Sequence, residues 1–113
     1  MKATIYHNPR CSKSREALRL LEEGRAQVTV VEYLKTPPTI AELRRLYARA
    51  GMSAHDGLRR AEPNARHLAD ADADEPTVLE AMLVNPALIE RPLVETDKGV
   101  VLARPPERVQ EVL

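Results

Sequence analysis

A single cysteine, Cys11, stands in a chain of 113 residues that has no tryptophan, no phenylalanine and three tyrosines. One cysteine excludes an internal disulfide and a cysteine-cluster metal site. His7, His55 and His67 show no ligand spacing, so neither a metal nor a bound cofactor is expected. The shortage of rings removes the platforms on which bases stack, and 17 basic residues balance 17 acidic ones. No global field is left to hold nucleic acid or an anionic membrane. Long apolar runs are missing too, since prolines and charges recur throughout and MKATIYHNPR lacks the core of a signal peptide. These absences lead us to expect a cytoplasmic protein without nucleic-acid or membrane partners, a monomer by default, in which any taste for anions is local.

At 43% hydrophobic residues the chain has enough apolar side chains for one core, and a single domain over residues 1–113 is expected. Residues 2–6, KATIY, read as a strand, and HNPRCSKS as a turn. Ala17, Leu18, Leu20 and Leu21 form a helical stripe within residues 14–23, stopped by Gly24. QVTVVEY, residues 27–33, is β-branched and follows a crossover helix, which predicts a parallel βαβ unit. Thr39 with Glu42 opens a second helix that ends near Gly51. Residues 53–84, alanine-rich and charged, predict a helical insert with a further N-cap at Asp74. ERPLVET and DKGVVLA then read as a hairpin turning at Asp97 to Gly99, and a short helix from Pro105 closes the chain. The order βαβ, helices, ββα specifies an α/β fold: a mixed sheet flanked by helices, with a helical insertion between the two halves.

Cys11 falls where the first loop meets the first helix, a place whose unpaired N–H groups and dipole favour negative charge. Such a position both lowers a thiol pKa and binds oxyanions. An inert buried cysteine is the alternative, but Arg10, Ser12, Lys13, Ser14 and Arg15 are poor company for an apolar core. A reactive, accessible thiol is therefore expected. His7 alone could be no more than a strand-end histidine.

HNPRCSKSR, residues 7–15, resembles the active-site motif of the glutathione- and glutaredoxin-dependent arsenate reductases. LRRAEP (58–63), ERP (90–92) and ARPPE (103–107) resemble, in order, the later arginine motifs of that family. The resemblance implies a thioredoxin-like fold, Cys11 as nucleophile, and Arg59, Arg91 and Arg104 around the oxyanion, with Arg60 as the alternative to Arg59. It also implies that His7 and Ser14 support the thiolate, the Ser14 hydroxyl by donating to it, and that Pro92 follows a cis bond. Guanidinium forks suit a tetrahedral dianion because they bind its oxygens bidentately and stay charged.

Arsenate takes two electrons on its way to arsenite, and one cysteine cannot supply them by closing its own disulfide. Serine at position 14 excludes C-x-x-C chemistry. The second thiol must come from outside; the resemblance makes it glutathione, with glutaredoxin regenerating Cys11. Two alternatives share the fold: a regulator of the related RNA-polymerase-binding type, which would not need all three arginines, and a glutaredoxin-like thiol transferase, which would not need arsenate.

Overall fold

The computed structural model describes residues 1–70 and 72–113. Close contacts divide it into two compact units, one made of residues 1–36 and 91–113, the other of residues 37–90.

The first unit holds the sheet. β1 (Lys2–Tyr6) runs parallel to β2 (Gln27–Val31), and α1 (Ser12–Glu23) makes the crossover that a parallel pair requires. β3 (Leu93–Thr96) lies antiparallel to β1, and β4 (Gly99–Leu102) antiparallel to β3, giving the order β2-β1-β3-β4. Thr96 pairs with Gly99 across the tight turn at Asp97 and Lys98, as the hairpin pattern predicted. This mixed four-stranded sheet is the thioredoxin-like arrangement expected from the sequence.

Register explains the core. Ile5 pairs with Val94, and Val94 with Val101, so the three line one row on one face of the sheet. That row is buried together with Ala17 and Leu21 of α1 and with Val109 and Val112 at the C-terminal end. Burying the isoleucine, leucine and valine side chains among them contributes roughly 1.5–3 kcal/mol each. The closing helix is present but as a 3-10 helix, Pro106–Glu111. α1 starts two residues before the expected Ser14, because Cys11 already serves as its N-cap.

In the second unit α2 (Ile40–Ala50) begins at Thr39, whose hydroxyl accepts the Glu42 N–H at 3.1 Å. It ends at Gly51, whose φ of 68° is the left-handed cap that glycine adopts without a Cβ penalty. α4 (Glu75–Val84) starts at Asp74, which accepts the Thr77 N–H at 3.0 Å. Between them the insert is less helical than expected. Only a 3-10 turn (Pro63–Ala65) and the short α3 (Arg66–Asp70) are helical, and position 71 lies outside the described residues. Ser53 and Asp56 spend their side chains on each other's N–H groups, closing a single turn, and Leu58 forms a lone bridge to Ile89. Among the described residues no helix is long and apolar enough to cross a membrane.

Candidate active site

Chain and hydrogen bonds fix the 7–11 loop from both ends. The His7 N–H donates to the Val31 carbonyl at 2.8 Å, tying the end of β1 to β2. Asn8 then organises the turn: its Oδ1 accepts the Arg10 N–H and its carbonyl accepts the Cys11 N–H, each at 3.0 Å. Arg15 reaches back to the Pro9 carbonyl at 2.9 Å. Sequence reading passed over Asn8, although the Asn-Pro pair is a turn signal of just this kind.

Cys11 emerges from this turn as the N-cap of α1. It is 8% exposed, more covered than an accessible surface thiol, yet it stands outside the apolar cluster behind the sheet. Burial alone would push the thiol pKa up, but the Ser14 N–H, the Arg91 charge, the Lys13 N–H and a hydrogen bond from Arg91 outweigh it, and the pKa falls below its ordinary value. Lys13 and Ser14 are the second and third residues of α1, whose N–H groups a capping side chain ordinarily satisfies. No cap bond of regular geometry closes on the sulfur, and the first turn holds no acidic residue, so the positive end of α1 acts on the thiolate uncompensated.

The Ser14 hydroxyl does not face the sulfur as expected. It lies 2.7 Å from His7 Nδ1 and accepts the Asn8 N–H at 3.1 Å. The support Ser14 gives the thiolate comes through its main-chain N–H, while the hydroxyl is engaged with His7 and Asn8. His7 is buried, and that burial, with Arg15 adding to it against the opposing pull of Glu32, lowers its pKa and keeps it neutral near pH 7.

Of the three arginines, the structure sets Arg91 against Cys11 and ties Arg104 to the Arg91 main chain. Arg91 donates to the sulfur, and Arg104 Nη1 donates to the Arg91 carbonyl at 3.2 Å, bracing it. Both precede prolines through cis bonds, Arg91–Pro92 as expected and Arg104–Pro105 in addition. Arg59 belongs to the second unit, where its N–H donates to the Leu88 carbonyl at 2.7 Å. Its Nε is buried and meets no hydrogen-bond acceptor, whereas Arg60 is exposed. Among the described residues no three histidine, cysteine, aspartate or glutamate side chains gather closely enough to hold a metal ion.

A thiol at a helix N-terminus, with an arginine bonded to it, can hold a negative charge and a tetrahedral anion in one place. Comparison with known proteins supplies a family: the ArsC family model matches residues 6–112. The chain belongs to the ArsC family.

Within the ArsC family it is 46% identical over 112 residues to the uncharacterized protein YfgD of Escherichia coli (strain K12), covering 96% of this chain and 94% of YfgD. It is 42% identical over 115 residues to the arsenate reductase of Rhizobium meliloti (strain 1021), covering 100% of this chain and 82% of that protein. The solved structure of an arsenate reductase from Vibrio cholerae superposes with a TM-score of 0.93 at 40% identity, covering 100% of this chain and 98% of the other. The likeness in fold extends over the whole of this chain.

Proposed function

We propose that this protein reduces arsenate to arsenite, with Cys11 as the nucleophile and glutathione as the second thiol. The observation that carries the reading is the Cys11 sulfur at the start of α1 with the Arg91 guanidinium bonded to it. The arsenate reductases of Rhizobium meliloti and Vibrio cholerae support it through sequence and fold.

In the first step the Cys11 thiolate forms an S–As bond and an arsenate oxygen leaves as water. Arg91 and the α1 N-terminus neutralise charge on the remaining oxygens, where fixed donors cost no reorganisation. Arg104, bonded to the Arg91 carbonyl, steadies the main chain that carries Arg91 and adds positive charge. Arg59, with Arg60 as its alternative, is the third arginine that the family resemblance assigns to the oxyanion. In the second step glutathione attacks Cys11 Sγ, the S–As bond breaks, and its electron pair stays on arsenic. One arsenic acid and two thiols thus yield one arsenous acid, one mixed disulfide and one water. Glutaredoxin then returns Cys11 to the thiol.

The experiment is arsenate-dependent NADPH oxidation with glutathione, glutathione reductase and glutaredoxin. Turnover in the wild type that is lost in Cys11→Ser supports the reading. No turnover in the wild type, or undiminished turnover in Cys11→Ser, overturns it.

A further inference from the structure

The second thiol must strike Cys11 Sγ from the side away from arsenic, because displacement at sulfur is in line with the bond that breaks. It needs a seat beside Cys11 that is not built from the oxyanion arginines. The first unit has a recess along the stretch of chain that leads into Cys11. It encloses about 210 Å³ and is walled by the 7–10 loop on one side and by Glu32, Leu34 and Lys35 on the other. Neither Arg91 nor Arg104 lines it. Cys11 follows directly on Arg10, with its N–H bonded to the Asn8 carbonyl at 3.0 Å, so one turn carries both the wall of the recess and the thiol.

The charges of the wall are specific. Arg10 and Lys35 bring two cations and Glu32 one carboxylate, around the apolar side chain of Leu34. Glu32 and Lys35 lie 3.6 Å apart with side chains 42% and 78% exposed, an open pair that a ligand can enter at little cost. A γ-glutamyl tripeptide thiol presents the complementary set: two carboxylates, one ammonium and a short apolar thiol arm. The recess on the other flank, about 310 Å³, has the wrong balance for it, with Lys13 against Glu16 and Glu107.

We infer that the recess between the 7–10 loop and residues 32–35 seats the external thiol, its carboxylates on Arg10 and Lys35 and its ammonium on Glu32. The inference rests on the proposed reduction, since that reaction is what requires a second thiol. Once seated, the incoming thiol bonds to Cys11 Sγ as the S–As bond breaks, arsenic keeps the electron pair, and the thiol proton passes to an arsenite oxygen.

The test is an amide NMR titration of the reduced chain with S-methylglutathione, a thioether that binds without reacting, run beside arsenite measurement on the same preparation. Shift changes should centre on Asn8, Arg10, Glu32 and Lys35. Affinity should drop about fivefold or more in Arg10→Gln with Lys35→Gln, as loss of two exposed ion pairs allows. The amide spectrum reports in the same experiment that the variant is folded. Shifts centred on Ser12, Lys13 and Glu107, no binding, or unchanged affinity in the double variant overturn the inference. Arsenite formation without binding at the recess sinks this seat and leaves the proposed function. Binding at the recess without arsenite formation supports the seat and sinks the function.

Discussion

The Ser14 hydroxyl lies 2.7 Å from His7 Nδ1, and this contact decides what each of the two can do for Cys11. The Asn8 N–H donates to Ser14 Oγ, and Ser14 Oγ and His7 Nδ1 share a second bond whose direction follows the tautomer of the ring. Neither side chain touches the sulfur. They hold the loop that places it, while the Ser14 main-chain N–H acts on the thiolate.

Ser14→Ala separates those roles. The main-chain N–H remains, so the Cys11 pKa, read from the pH dependence of thiolate absorbance, should stay close to the wild-type value. Stability should fall by about 1–3 kcal/mol, because the Asn8 N–H loses its acceptor and the buried His7 nitrogen its partner. A large rise in the Cys11 pKa with unchanged stability would place the hydroxyl on the sulfur instead.

Arg91→Gln removes both a charge and a hydrogen bond that favour the thiolate. The Cys11 pKa should rise, and arsenate turnover should fall by about 10²-fold, the usual cost of losing one fixed donor to a developing anion. Arg91→Lys should recover the pKa better than the turnover, because an ammonium keeps the charge and loses the fork. Equal kinetics in all three proteins would reduce Arg91 to a surface charge.

Stability should weaken in acid through His7. Burial, against the pull of Glu32 and with the help of Arg15, holds its folded pKa below the ordinary 6.5. The unfolded chain therefore takes up the proton at higher pH than the folded one. The contribution is complete above 6.5 and is lost as pH falls through the folded pKa. Urea midpoints measured from about pH 8 to about pH 5 should decline less in His7→Gln than in the wild type. Parallel curves would mean that His7 titrates alike in both states.

Gly57→Ala tests the second unit. A Cβ there would lie 2.4–2.6 Å from atoms of the Tyr47 ring, which is 3% exposed and has little room to retreat. The overlap should cost about 1–3 kcal/mol in thermal unfolding, and Tyr47→Leu in the same chain should return part of it. A melting temperature equal to wild type would show that the ring moves freely.

Much of this was legible in the sequence because it rests on local patterns. Strand-forming residues marked β1 and β2, the apolar stripe marked α1, and Thr39, Asp74 and Gly51 marked helix ends through their own hydrogen bonds and φ. Cys11 was legible as a helix-start thiol because its neighbours are polar and turn-forming. Its burial was not, since coverage depends on how the loop folds over it, and the charged residues on either side point elsewhere. The Ser14 hydroxyl was misplaced for a related reason: its partner, His7, is seven residues away and meets it only because β1 and α1 are joined by a tight turn. The 53–62 stretch defeated the helical pattern because Ser53 and Asp56 satisfy each other's N–H groups in a turn, where a helix would have used the main chain.

The most direct measurement is a single turnover without glutaredoxin. Wild-type chain is mixed with arsenate and glutathione, and arsenite is counted against the mixed disulfide found on the protein by mass spectrometry. The account predicts one arsenite for each Cys11–glutathione disulfide, and neither product from Cys11→Ser. Arsenite released with Cys11 still a free thiol, or formed equally by Cys11→Ser, would contradict it.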